Sequence, residues 1–309
     1  MQLVREKTNP LLEPIADHAW ENRTVFNCGV TNWQDKVVLL YRAQGTENNV
    51  SRIGYAESTD GVNFTRLPEP VFVPEAPEEQ FGVEDPRLTW LGDTCHMYYT
   101  AWGPDLKSGR TGVDERGFPY TWIQVNHAST KDFKTWERHG MVFDGPDNKD
   151  AALFPDKIGG RFCAFHRIPK SMWIAYSDDG KEFGDFVEIL KPREGCYDDL
   201  KLGAGGPPIR TEHGWLVIYH GVDQNLVYRL GVAMLDLEDP SIVINRPREP
   251  ILSPEEPWEL VGDVPNVVFT CGTAELGDDY LVYYGGADKV IALARANKQE
   301  LINFALHGE

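Results

Sequence analysis

The chain has 309 residues, 41% hydrophobic and 25% charged, proportions that fit a globular protein of one or two domains. Acidic residues outnumber basic ones 48 to 30, a formal charge of −18. That balance argues against a nucleic-acid partner, whose affinity comes from clustered Lys and Arg, and against docking on an anionic membrane surface. A protein this acidic that handles an anionic substrate must hold a local basic cluster against its own field.

The first residues, Met1-Gln2-Leu3-Val4-Arg5-Glu6-Lys7, lack an apolar segment of signal-peptide length, and no run approaches a membrane span. Cys28, Cys95, Cys163, Cys196 and Cys271 are odd in number and scattered, with no C-x-x-C pair. Neither a disulfide framework nor a structural zinc site is expected, and a reducing cytoplasm is the simplest location.

Helical periodicity is weak, and one kind of segment returns along the chain. It is an apolar strand ending in an aromatic residue and then a small or polar one: residues 37–43 (VVLLYRA), 96–102 (HMYYTAW), 162–167 (FCAFHR), 216–221 (LVIYHG) and 281–286 (LVYYGG). Aligning Tyr41, Tyr99, Phe165, Tyr219 and Tyr284 gives a period of about 60 residues. A second short segment precedes each copy: FNCGV, VEDPRL, AALFP, AGGPPI and VPNVVF. Three copies lead into similar turns at Ser58-Thr59-Asp60-Gly61, Ser129-Thr130-Lys131-Asp132 and Ser177-Asp178-Asp179-Gly180, and in the first and third Asp-Gly supplies the positive φ of a tight hairpin. Five such repeats predict an all-β chain folded as a five-bladed β-propeller, residues 1–309 forming one domain. A pair of β-sandwiches would not explain why the same element returns five times.

In a propeller the innermost strands face a common channel. The segments before each repeat strand are the candidates, placing Asn27, Glu84-Asp85-Pro86-Arg87, Gly205-Gly206-Pro207-Pro208 and Pro265-Asn266 around one opening. The residues after the aligned aromatics add Arg42, Thr100, His166 and His220, with Arg167 one further on. Singly, each has a plainer reading: a surface ion pair for the E-D-P-R run, structural hydrogen bonding for the histidines, packing between blades for the tyrosines. The Gly203–Gly206 run is no P-loop, since prolines follow it and no helix can start there to receive a phosphate. Their meeting at one mouth is what points to a site.

So aligned, the sequence resembles glycoside hydrolase family 130, the inverting β-mannoside phosphorylases and related mannosidases. The resemblance runs from Asn9-Pro10-Leu11-Leu12 to Ala287-Asp288-Lys289, and rests on Val25-Phe26-Asn27, Leu40-Tyr41-Arg42-Ala43, Ser51-Arg52-Ile53-Gly54, Glu84-Asp85-Pro86-Arg87, Lys201-Leu202-Gly203-Ala204-Gly205, Tyr228-Arg229-Leu230-Gly231 and Val264-Pro265-Asn266 in shared order. It implies cleavage of a β-mannoside by inorganic phosphate, giving α-D-mannose 1-phosphate and a shortened acceptor. Asp85 matches the catalytic acid, thought to relay its proton through the mannosyl 3-hydroxyl, which calls for a raised pKa in the productive complex. Arg42, Arg167, Lys201 and His220 match phosphate ligands. Asn27, Tyr228 and Asp288 match residues that hold the mannosyl unit, and Arg52 and Glu84, inside the shared motifs, join them on the substrate side.

The expected partners are a β-mannoside oligosaccharide and phosphate, the latter a co-substrate, with no metal or other cofactor; a homo-oligomer is left open. The Lys149-Asp150-Ala151-Ala152-Leu153 stretch fits the family only loosely, and the polar loop 103–117 does not align. The linkage, β-1,4 or β-1,2, and the acceptor sugar therefore stay undetermined. A β-mannosidase on the same scaffold, lacking much of the phosphate set, and a non-catalytic carbohydrate-binding propeller are the alternatives.

Overall fold

The computed structural model describes residues 1–309 except 109, 111, 116 and 118. A short strand β1 (Val4–Arg5) comes first. Four sheets follow in chain order: β2 (Thr24–Trp33), β3 (Lys36–Gln44), β4 (Arg52–Ser58) and β5 (Thr65–Arg66); β6 (Gly82–Leu91), β7 (Thr94–Pro104), β8 (Thr121–Thr130) and β9 (Glu137–Met141); β10 (Lys149–Leu153), β11 (Phe162–Ile168), β12 (Ser171–Ser177) and β13 (Gly184–Leu190); β14 (Lys201–Ala204), β15 (Ile209–Arg210), β16 (Trp215–Val222), β17 (Tyr228–Leu235) and β18 (Val243–Asn245). The fifth holds β19 (Val268–Leu276), β20 (Asp279–Gly286) and β21 (Val290–Asn297), and β1 pairs antiparallel with β21 as its outermost strand. Each sheet is an antiparallel meander, so the molecule is the five-bladed β-propeller that the repeat predicts. Among the described residues a 3-10 turn at Pro77–Glu79 and two α-helical pieces, α1 (Pro257–Leu260) and α2 (Lys298–His307), complete the elements. Among the described residues no helix is long and apolar enough to cross a membrane.

The middle strands explain the recurring apolar runs. On β3, Val37, Leu39 and Tyr41 pack toward the fifth blade, against Leu281, Tyr283 and Leu293. The alternate residues Val38 and Leu40 pack toward the second, with Val83, Met97 and Tyr99. Both faces are buried, so the strand reads as a continuous apolar stretch rather than an alternating one. The same alternation on β16 sends Leu216 and Ile218 to one neighbour and Val217 and Tyr219 to the other. Apolar clusters between each pair of adjacent blades replace a single central core.

The aligned tyrosines have a second role beyond packing between blades. Each hydroxyl donates to a buried carboxylate that lies ahead of the blade and is also held by an arginine from the periphery of the same blade. Tyr41 and Arg66 meet on Glu21; Tyr99 and Arg138 on Glu79; Tyr219, Arg193 and Arg246 on Asp198; Tyr284 and Arg5 on Glu259. The third blade has Phe165 in this place and lacks the hydroxyl. The Ser/Thr-x-Asp turns repeat as well. Asp60, Asp132 and Asp179 each accept backbone N–H bonds two and three residues on.

Candidate active site

The inner strands carry a repeated irregularity. In β2, β6 and β10 the pairing register shifts by one residue, and the extra residue takes a left-handed backbone: Asn27 (φ 44°), Asp85 (φ 49°) and Asp150 (φ 55°). A bulge of this kind re-aims a side chain out of the pleat. Here three bulges at the same level turn three polar side chains into the channel mouth. Asn, Asp and Gly tolerate such a conformation best, which accounts for the residue types found.

Asp85 is 1% exposed and sits between two groups of cations. Its Oδ1 accepts from Asn27 Nδ2 (2.9 Å) and Arg42 Nη1 (3.2 Å), and its Oδ2 lies 3.6 Å from Lys149 Nζ. Arg42 is fixed in turn by Glu84 Oε1 (2.5 Å) and Ser51 Oγ (2.9 Å). Burial pushes the Asp85 carboxyl up, but Lys149, Arg42 and Arg87, with the Asn27 amide, outweigh it and leave it at about 2. This is opposite in direction to the raised value that the resemblance calls for in the productive complex.

Asp150 forms the second centre and is fully buried. Its carboxylate faces Arg167 Nη1 (2.8 Å), Arg87 Nη2 (3.3 Å) and His220 Nε2 (3.5 Å). Burial raises its pKa, and Arg167, Lys149, His220 and Arg87 together drive it well below the carboxylate range. Gly203 makes room for it, since a Cβ there would stand 2.5 Å from Asp150 Oδ2. Arg87 ties the two centres together. It donates to the backbone carbonyls of Asp85 (3.0 Å), Ala204 (3.0 Å) and Gly205 (2.6 Å) as well as to Asp150.

Lys201 reaches the same space, its Nζ 5.2 Å from the Tyr228 ring centre. Burial, then Arg167 and Lys149, lower its pKa. His220 packs against Phe269 at 4.4 Å between ring centroids, and burial drives it down to about 3 despite Asp150, so the ring is neutral. Asp288, half-buried in the turn after β20 with φ 51°, is pushed up by burial to about 6, Asp85 and Glu84 adding to the shift and Arg42 and Lys149 opposing it.

The mouth thus gathers Asn27, Arg42, Glu84, Asp85, Arg167, Lys201, His220, Tyr228 and Asp288. Arg52 does not join them. Its guanidinium donates to Val50 O (3.1 Å) and Asn48 Oδ1 (3.4 Å) on the loop before β4. His166 turns away and stacks on Phe143, hydrogen-bonded to Asn148. The E-D-P-R run is buried and is no surface ion pair. Pro207 and Pro208 leave the opening as well, because β14 carries them to a cavity of about 420 Å³ at the other end of the inner strands, beside Thr31, Trp90 and Glu275.

Lys149 and Asp150 went unassigned in the sequence, and Arg87 was placed at the opening with no role of its own. Lys149 lies directly opposite Arg167 in the register of β10 and β11. The repeat lands beside Asp150 and not on it: Asn27 and Asp85 each stand 14 residues before their aligned tyrosine, the same interval before Phe165 reaches Ala151, and the segment AALFP starts there, one residue too late. Residues 109, 111 and 116 of the unaligned polar loop, and 118 just after it, fall outside the described residues. Among the described residues no cluster of His, Cys, Asp and Glu has a metal-binding arrangement.

The sequence model of glycoside hydrolase family 130, described as beta-1,4-mannooligosaccharide phosphorylase, matches residues 2–307. The chain belongs to this family. It is 46% identical over 312 residues to a beta-1,2-mannobiose phosphorylase of Thermoanaerobacter sp. (strain X514), covering 97% of this chain and 99% of that one. To a 1,2-beta-oligomannan phosphorylase of the same organism it is 43% identical over 95% and 97% of the two chains. Among solved structures, the beta-1,2-mannobiose phosphorylase of Listeria innocua in complex with beta-1,2-mannobiose superposes with a TM-score of 0.86 at 32% identity, covering 99% of each chain. The family 130 propeller therefore extends over essentially the whole chain.

Proposed function

We propose that the chain is an inverting phosphorylase of β-1,2-linked mannosides, which transfers a terminal mannosyl unit to inorganic phosphate and releases a sugar shortened by one residue. The observation that carries this reading is the cage of Arg42, Lys149, Arg167 and Lys201, with neutral His220, beside the carboxyl of Asp85 in a chain of net charge −18. Fixed cationic donors of this kind suit the oxygens of a phosphate dianion. A hydrolase, which relies on a second carboxylate to activate water, would need no such cage, and nor would sugar binding alone. Family membership and the two relatives at 46% and 43% identity support the β-mannoside class and, by their names, the β-1,2 linkage.

In this reading phosphate attacks the anomeric carbon from the side of the cage as the glycosidic C–O bond breaks on the opposite face. Asp85 supplies the proton that the leaving oxygen takes up. Asn27, Glu84, Tyr228 and Asp288 hold the mannosyl unit, and Arg52, at the rim, is left for the acceptor side. Residues 1–309 act as one catalytic domain, supported by the closure of the last blade with β1. The five free cysteines support a reducing cytoplasm.

The test is the reverse reaction. Purified protein with α-D-mannose 1-phosphate and a panel of mannose, glucose and N-acetylglucosamine should release phosphate with mannose and yield a β-1,2-linked disaccharide. No phosphate release, with mannose freed from β-1,2-mannobiose in phosphate-free buffer, would make the chain a hydrolase.

A further inference from the structure

We infer that Lys149 is shared between Asp85 and the incoming phosphate, so that phosphate binding draws the lysine off the acid and couples to protonation of Asp85. The inference rests on the phosphorylase reading above and concerns how the acid is armed.

A general acid must carry its proton when the leaving oxygen needs it. Both Asp85 oxygens are turned to donors, Oδ1 to Asn27 and Arg42, Oδ2 to Lys149, and the carboxyl is shut off from water. Such a setting favours the anion, which has nothing to donate. The two cations differ in how firmly they are held. Arg42 is anchored by Glu84 and Ser51 and stays where it is when a ligand arrives. Lys149 is not anchored in this way. Its Nζ stands 3.6 Å from Oδ2, beyond hydrogen-bond distance, at the end of a flexible four-carbon stem whose side chain is 24% exposed.

Lys149 is also part of the phosphate cage. It pairs with Arg167 across β10 and β11 and shares with it the field of Asp150, and both cations act on Lys201. A phosphate dianion placed among these three cations offers Lys149 two charges where Asp85 offers one. Once Nζ moves, Asp85 keeps its burial, loses a cation and gains a dianion nearby, and each change favours the neutral acid. The other groups facing it are Arg42 from β3, Arg87 and Glu84 on its own strand, Asp150 from β10, Asp288 after β20 and the buried Cys271 on β19. Arg42 and Arg87 remain paired to Glu84 and Asp150. One proton passes from bulk water to Asp85 Oδ2, and in turnover it leaves with the departing sugar oxygen. No other reactant is needed.

Calorimetric titration of inorganic phosphate into the full chain, near pH 6.5 in two buffers of different ionisation enthalpy, counts the protons taken up. Wild-type protein should take up more than the Asp85→Asn variant, the difference approaching one proton. Protons exchanged by phosphate itself and by His220 enter both counts. Lys149→Gln should bind phosphate more weakly and take up fewer protons than wild type, because its Asp85 is already relieved of the lysine. Equal counts in wild type and Asp85→Asn, with phosphate bound by both, would overturn the coupling and leave the phosphorylase reading standing. Folded wild-type protein that binds no phosphate would overturn both. Should Asp85→Asn fail to fold, the dependence of log Kd on pH carries the test: a steeper loss of affinity with rising pH in wild type than in Lys149→Gln supports the coupling, and equal slopes overturn it.

Discussion

His220 meets the cage as a neutral ring. Burial against Phe269 removes its charge, and among the described residues neither ring nitrogen has a hydrogen-bond partner, although Asp150 Oδ2 lies 3.5 Å from Nε2. A buried donor with no partner is costly unless a ligand completes it, so the ring is poised for an oxyanion. His220→Ala should raise the KM for phosphate about 10- to 100-fold, the worth of one hydrogen bond to a charged group, and change the KM for the mannoside far less. Equal effects on both constants in initial-rate kinetics would remove His220 from the phosphate side. That His220 and Arg42 belong to one mouth was legible, because each follows an aligned aromatic residue. That Lys149 belongs there was not. Its partner Arg167 is 18 residues away, joined to it only by strand register, and no local sequence feature of a lysine records which carboxylate it will face.

At the scale of the strand and its supports, the propeller was legible from five apolar runs and three Asp turns, since both follow directly from the pleat and from hairpin geometry. The carboxylate clamps were not. Glu21, Glu79, Asp198 and Glu259 precede their tyrosines by 20, 20, 21 and 25 residues, and each needs an arginine from the blade's periphery to be tolerable in the interior. The clamp in the fifth blade can be tested. Arg5 donates to both oxygens of Glu259 at 2.8 Å, and Glu259 is 0% exposed. Arg5→Ala leaves a buried carboxylate without its cation and should cost about 3–5 kcal/mol in urea unfolding. Tyr284→Phe, which removes one neutral donor, should cost about 1–3 kcal/mol. If Arg5→Ala matched the wild type, the clamp would contribute nothing to closure. The third blade, with Phe165, already manages without it.

For the molecule as a whole, acid stability follows from its histidines. Burial lowers His127 and His220 to about 3 and His166 to about 4. Above the ordinary histidine pKa of about 6.5 both folded and unfolded chains leave these rings neutral. As pH falls below that, the unfolded chain takes up protons that the folded one refuses, and stability is lost at about 1.4 kcal/mol per pH unit for each ring. Asp288 acts in the other sense. Its raised pKa of about 6 contributes stability that grows as pH falls through 6 toward the ordinary carboxylate value, and it offsets roughly one histidine. The thermal midpoint should therefore drop between pH 7 and pH 5, and His127→Gln should lessen the drop. A midpoint unchanged over that range would mean that the rings are not held neutral. The pairing of β1 with β21 has a consequence for biosynthesis. Val4 must wait for Arg295, so at about 5–20 residues per second the opening strand spends roughly 15 to 60 s of translation without its partner. Four blades can assemble as they emerge from the ribosome, but the ring, and with it any mouth that draws on all five inner strands, cannot exist until nearly the whole message has been read.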